Sequence, residues 1–412
     1  MEQYEIEQKV QEANQSLFGY PTYVPDYEDL DDCFDHHHED GECCGGHDHD
    51  DHECCGGHDH AHGEGHQCCG DHGEEGECCG GHGHDDHECC GGRHHEDGCC
   101  GDHRTGRYAD EWFGPWRNPE FCTFAFECNG QSYFVRRWGD PADIPVLLLH
   151  GFMQTGDSWW GVAPALAQDH CVYALDLLGH GESSKPENVE EYSLAGQAQA
   201  IAELIRRVIR PASQEATGKE RGERVHVVGY SLGGRVAEQL MEVCGNDIYT
   251  LTLESASLGP ADEVESQEFA TRSAAWAARL RAEGMEPFVN WWEELPLFES
   301  QRRLGDSPRG KATRAERLSQ DPFAMACVAE GMGQHTMPLK SETLEMLACS
   351  WNPICYLFGR RDQKYADKAH DFLHEGYEAR GAMAGHNVHL ENPDNYVQEL
   401  LSFLHGNEMR GI

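Results

Sequence analysis

The chain has 412 residues, with 74 Asp+Glu against 31 Lys+Arg and a formal net charge of −43. Such a balance argues against nucleic acid or anionic lipid as a partner, because both require a basic surface. The acidity is uneven: up to Asp110 the chain carries 30 Asp+Glu against four Lys+Arg, and 13 of the 20 cysteines also lie there.

The first residues, MEQYEIEQKVQEANQ, have neither a basic nor an apolar leader region, so no signal peptide is read and a cytoplasmic location is expected. Residues 1–19 have the pattern of a short amphipathic helix. From 33 to 103 the chain becomes a low-complexity repeat of ECCGGH-like units, with six Cys-Cys pairs beginning at 43, 54, 68, 78, 89 and 99. Large apolar side chains are almost absent there. This repeat, within an acidic Cys/His-rich segment spanning 1–110, is therefore expected to form no core and to be disordered without a ligand.

Thiolates and imidazoles are the donors that soft and borderline metals prefer. The expected ligands are Cys43, Cys44, His47, Cys54, Cys55, His58, Cys68, Cys69, Cys78, Cys79, His82, Cys89, Cys90, Cys99 and Cys100. Adjacent cysteines are not the C-x-x-C spacing of a closed structural zinc site. The pattern instead implies labile sites for Zn, Ni or Cu(I), with an acidic tail that merely oxidises as the alternative.

A globular α/β pattern fills 120–412. Alternating strands at Cys122–Cys128 and Ser132–Trp138 suggest a hairpin, and the apolar run Pro145–Leu149 reads as a strand buried on both faces. A helix at Asp157–Gln168, a strand at Cys171–Asp176 and a helix at Ser193–Ile209 follow, then a polar loop at Pro211–Glu223. Next come the strand Val225–Gly229, the helix Leu232–Cys244 and the strand Tyr249–Glu254. Strands alternating with helices imply a mostly parallel sheet. Residues 257–349 read as helices only, as for a lid inserted into the sheet. Sheet pattern resumes at Asn352–Phe358 and Tyr377–Met383, before a last helix at Pro393–Leu404. No apolar run is long enough to span a membrane. Seven scattered cysteines in this part read as unpaired thiols of a reducing compartment.

Gly229-Tyr230-Ser231-Leu232-Gly233 fits G-x-S-x-G between a strand and a helix, the context in which the motif presents a nucleophilic serine. A serine needs a histidine to take its proton, and that histidine an orienting acid. His386 and Asp362, in loops after the last two strands, complete the order Ser, Asp, His. His389 is the nearest rival; His226 lies within a strand, and His370 and His374 lie on a helix. His150-Gly151-Phe152 ends the first buried strand, so the N–H groups of Phe152 and Leu232 are the expected oxyanion hole. The turn Asp176–Ser183 reads as structural.

The stretches HGFMQTGDSW, DLLGHGESS, GYSLGGRVA, ESASLGP, FVNWWEELPLF, FGRRDQKY and AGHNVHLENP occur in that order. Over about 121–405 they resemble the 2-succinyl-6-hydroxy-2,4-cyclohexadiene-1-carboxylate synthases of menaquinone biosynthesis, within the α/β-hydrolase superfamily. The resemblance implies an α/β-hydrolase fold with a helical lid and a lyase needing no cofactor for catalysis. Its anionic substrate would be 2-succinyl-5-enolpyruvyl-6-hydroxy-3-cyclohexene-1-carboxylate, from which pyruvate is expelled with Ser231 as base. It also implies that Arg235 and Arg317 hold carboxylates and that Tyr230 and Trp292 line the ring pocket. A further arginine is implied in the first lid helix, where Arg272, Arg279 and Arg281 are the candidates. An ordinary serine ester or carbon–carbon-bond hydrolase is the alternative, and a metal-handling protein with a scaffold domain is a third reading.

Overall fold

Val146, Leu147, Leu148 and Leu149 are completely shielded from solvent, as a strand covered on both faces of a sheet must be. In the computed structural model, which describes residues 121–220 and 222–410, that strand lies near the middle of an eight-stranded sheet. The strands are β1 (Phe121–Cys128), β2 (Gln131–Trp138), β3 (Ile144–Leu149), β4 (His170–Leu175), β5 (Val225–Tyr230), β6 (Ile248–Glu254), β7 (Ile354–Gly359) and β8 (Glu378–Ala382). Their spatial order is β1-β2-β4-β3-β5-β6-β7-β8. The pairs β1/β2 and β2/β4 are antiparallel; every later pair is parallel. The sequence-predicted hairpin and parallel sheet are both present.

Two local readings are corrected. In place of one helix at 157–168, a 3₁₀ turn at Gly156–Gly161 is followed by the single turn α1 (Ala163–Leu166). Val162, at φ −127°, interrupts the helix, and Pro164 has no N–H to continue it. The supposed loop after Pro211 is largely helical: α2 (Leu194–Leu204) passes through a π turn at Ile205–Ile209 into α3 (Arg210–Thr217). Within the π turn the Arg210 N–H bonds the Ile205 carbonyl, five residues back. That wider turn makes room for the Pro211 ring where an α-helix would clash. Gly218, at φ +65°, ends the helix.

Helix α4 (Leu232–Cys244) follows β5. Between β6 and β7 come only helices and 3₁₀ turns: α5 (Glu263–Glu283), α6 (Met285–Glu293), α7 (Pro308–Leu318), α8 (Pro322–Gly331) and α9 (Lys340–Ala348). Lid helix α7 docks on the loop after β3 through Glu316, which accepts from the Thr155 N–H at 2.8 Å and hydroxyl at 2.6 Å. Helix α10 (Gln363–His374) follows β7; the turn α11 (Val388–Glu391) and α12 (Pro393–Glu408) close the fold. None of the seven cysteines among the described residues forms a disulfide. No helix among these residues is long and apolar enough to cross a membrane. The Cys/His repeat and its expected metal ligands lie outside the described residues.

One buried carboxylate joins distant parts of this fold. Glu254, at the end of β6, has no solvent exposure and accepts from the N–H of Val388 at 2.7 Å and of His389 at 3.1 Å. Its second oxygen meets His389 Nδ1 at 2.7 Å. Removing it strands two buried N–H donors and a buried imidazole. Glu254→Ala is therefore expected to cost about 3–5 kcal/mol, measurable as a lower midpoint in urea unfolding; an unchanged midpoint would refute this.

Candidate active site

Ser231 is the single residue between β5 and α4, and its backbone is strained, at φ +51°, ψ −104°. Close packing holds it there. A Cβ on Gly229 would lie 2.5 Å from the Gly233 carbonyl oxygen, and one on Gly233 would lie 2.1 Å from that of Leu149. The two glycines let strand and helix approach closely enough to lift the serine hydroxyl above the sheet edge. The Ser231 N–H bonds the Glu254 carbonyl at 2.9 Å.

The structure brings the three expected side chains together. His386 Nε2 lies 3.4 Å from Ser231 Oγ, and His386 Nδ1 lies 2.9 Å from Asp362 Oδ2. Both His386 and Asp362 are almost fully buried. Asp362 also caps α10, accepting from the Tyr365 N–H at 3.4 Å, which fixes its carboxylate after β7. The loop bearing His386 is held by Glu391, whose Oε2 accepts from the Gly385 N–H at 2.8 Å. The rival His389 faces Glu254 and stacks on Trp159 at 4.1 Å, so it is committed elsewhere.

Phe152 and Leu232 both line the cleft beside Ser231. His150 fixes the turn that carries Phe152. Its Nε2 accepts from the Leu177 N–H at 2.9 Å, so Nδ1 carries the proton and donates to the Gly151 carbonyl at 2.8 Å. Burial pushes its pKa down to about 3, keeping the ring neutral. The turn Asp176–Ser183 is structural, as read: Asp176 accepts from the Gly156 and Glu182 N–H groups and from Arg136.

Above the serine, lid and core enclose a pocket in which cations converge on aromatic walls. Tyr230 and Trp292 both line it. Trp292 packs among Trp276 (4.9 Å between centroids), Phe298 (5.2 Å) and Phe152 (5.5 Å). Arg317 is positioned by Glu293 and Gln301, each 2.9 Å away, and lies over the Phe298 ring. Arg235, on the first turn of α4, is half-buried, with its Nε shielded from solvent. Its Nη1 donates to the Met332 carbonyl at 2.7 Å, while Nε has no partner among the described residues. Burial lowers its pKa.

Of the three candidates in the first lid helix, only Arg272 reaches the pocket. It bonds Gln334 and lies over Phe269 and Trp276; burial, then the nearby Arg235 charge, lower its pKa to about 10. Arg279 pairs with Glu283 at 2.8 Å and Arg281 with Glu330 at 2.6 Å, both outside the pocket. Lys364 also lines the pocket and was not singled out from sequence. Its position two residues after Asp362 was the available signal. Burial, then Arg272 and Lys368, push its pKa down to about 8.

Comparison with known proteins bears on the family. The model of the Alpha/beta hydrolase family matches residues 146–399. A Bacillus subtilis protein provisionally named 2-succinyl-6-hydroxy-2,4-cyclohexadiene-1-carboxylate synthase is 29% identical over 279 residues, 67% of this chain and 96% of its own. The synthase of that name from Serratia proteamaculans is 28% identical over 268 residues, 64% of this chain and 94% of its own. The solved structure of MenH from S. aureus superposes with a TM-score of 0.59 at 26% identity, covering 66% of this chain and 98% of that one. With the family model matching well over half of its length, the chain belongs to the alpha/beta hydrolase family.

Proposed function

We propose that this chain is the menaquinone-pathway lyase that eliminates pyruvate from 2-succinyl-5-enolpyruvyl-6-hydroxy-3-cyclohexene-1-carboxylate. The carrying observation is the convergence of three guanidinium groups, Arg235, Arg272 and Arg317, on the pocket above Ser231, Arg272 and Arg317 buried and Arg235 partly so. Burying several cations in one pocket is costly unless an anion joins them, and planar guanidinium forks suit carboxylates. A neutral ester would leave those charges uncompensated. The similarity to relatives bearing the synthase name supports the same reading.

In this reading His386, oriented by Asp362, takes the Ser231 hydroxyl proton, and the serine oxygen removes a proton from the substrate ring. The electron pair shifts through the ring and breaks the carbon–oxygen bond to the enolpyruvyl group. That group leaves as the enolate and is protonated to pyruvate, and the ring keeps a conjugated diene. No water is consumed and no acyl-enzyme forms, so the serine acts as base rather than nucleophile. The Phe152 and Leu232 N–H groups would stabilise negative charge developing on a substrate oxygen. Tyr230 and Trp292 would flank the ring. The catalytic step draws on no cofactor.

Three outcomes are expected. In a coupled assay on the enolpyruvyl precursor, the full chain releases pyruvate and Ser231→Ala slows release by on the order of 10³-fold or more. A folded wild type that releases none but turns over simple esters would make it a serine hydrolase instead. Arg272→Lys keeps the charge and loses the fork, so kcat/KM should fall about ten- to a hundredfold, with Arg279→Lys near wild type; equal effects of the two would remove Arg272 from the site. The third concerns pH. Lys364, cationic below about pH 8, becomes neutral above it, so kcat/KM for the anionic substrate should fall as pH rises through that value. Lys364→Met should start lower and lack that alkaline limb; retention of the limb would assign it to another group.

A further inference from the structure

At the opposite end of the sheet from Ser231, three histidines and two carboxylates meet. His170 opens β4, His226 is the second residue of β5, and His405 and Glu408 lie one turn apart on α12. Both buried imidazoles aim Nε2 at the same carboxylate oxygen. His170 Nε2 is 2.9 Å from Glu408 Oε1, and His226 Nε2 is 3.0 Å from it. We propose that His170, His226 and Glu408 form a zinc(II) site that fastens α12 to the foot of the sheet.

Each imidazole already has the outer partner that metal-bound histidines have. His226 Nδ1 lies 2.8 Å from the Thr250 hydroxyl, and His170 Nδ1 lies 2.6 Å from the Asp169 carboxylate. In the metal-free protein each Nε2 donates to Glu408; with an ion bound, the outer contacts would hold the Nδ1 protons and leave each Nε2 lone pair to ligate, the pattern that orients imidazoles towards a metal. Two neutral nitrogens and one carboxylate oxygen form a donor set suited to zinc, with one position left open. In a tetrahedral site with bonds of about 2.0–2.1 Å, ligand atoms stand about 3.3 Å apart. The present spacings need to open by only ~0.4 Å, within reach of the Glu408 side chain, which is one-fifth exposed.

Asp169 and His405, paired at 2.9 Å and each nearly half exposed, lie beside His170, and Glu408 is itself one-fifth exposed, which gives an ion a route from solvent. Arg224 lies over the Tyr249 ring on the far side of His226 and is the nearest opposing charge. The two strand histidines fall on one sheet face because β3, between them, pairs Ile144 with His170 and Val146 with His226. Five residue steps lead from His226 along β5 to Ser231, about 16 Å, so this site is distinct from the catalytic pocket.

The test uses the full chain. Crystals grown with Zn²⁺ and measured on either side of the zinc absorption edge should give an anomalous peak bounded by His170 Nε2, His226 Nε2 and Glu408. The location of the peak separates this ion from any held by the cysteine repeat. In solution, Zn²⁺ about a hundredfold above its Kd should raise the Tm by about 5 °C relative to protein with chelator. Glu408→Gln, which keeps the shape but is a poor ligand, should lose that rise. Zinc-soaked wild-type crystals with no peak at this position, or an equal Tm rise in Glu408→Gln, would overturn the proposal and leave a histidine–carboxylate ion-pair network. Should the variant fail to fold, the anomalous map of the wild type decides alone.

Discussion

Much of this structure depends on a single buried carboxylate. Glu254 ends β6, and its backbone carbonyl receives the N–H of the strained Ser231. Its side chain is held by two backbone N–H groups and the ring of His389, with no Lys or Arg bonded to it among the described residues. Those donors belong to α11, which begins two residues after His386. One residue thus ties the serine turn to the loop of the histidine, although 155 positions separate Ser231 from His386. A 3.4 Å approach between two loops needs such a tie, since a small displacement of either would break it.

The charge distribution adds a second constraint. Although the chain as a whole has a net charge of −43, Arg235, Arg272, Arg317 and Lys364 line the pocket and no Asp or Glu does so among the described residues. Arg235 and Arg272 are close enough that each charge disfavours a neighbour, and burial has already lowered both. Beside Arg235, Glu238 is fully buried with neither carboxylate oxygen partnered among the described residues, and burial raises its pKa well above the usual range. It therefore offers Arg235 little compensation. The folded protein bears this unbalanced charge, and an anionic ligand would relieve it.

What was legible in the sequence followed from local rules. G-x-S-x-G between an apolar strand and a helix specified the serine turn, and chain order picked out Asp362 and His386. The parallel sheet was readable because its strands are buried on both faces and so lack polar alternation. The helix across Pro211 was hidden because the π turn that accommodates the proline leaves no compositional trace. Arg272 could not be separated from Arg279 and Arg281, since that requires the rotation of α5 against the sheet. Arg279 lies about two turns beyond Arg272, and that step separates a guanidinium that meets Gln334 in the pocket from one that pairs with Glu283 outside it. His226 read as an ordinary strand histidine; its significance lies in Glu408, 182 positions away.

The two ends of β5 are linked by the helix that covers them. His226, Val228 and Tyr230 alternate along the strand onto one face, and Val228 and Tyr230 pack in the same core as Tyr396, Leu400, Phe403 and Leu404 of α12. Helix α12 starts at Pro393, just past the segment that carries His386 and His389, and ends at Glu408 beneath His170 and His226. Tyr230 touches both His386 and His389 through ring contacts of 5.5 and 4.9 Å. A clamp at Glu408 would therefore act on the far end of the element whose near end adjoins the loop of His386. The shared core would make its effect one of rigidity rather than of charge, because about 16 Å of packed strand lies between the two sites.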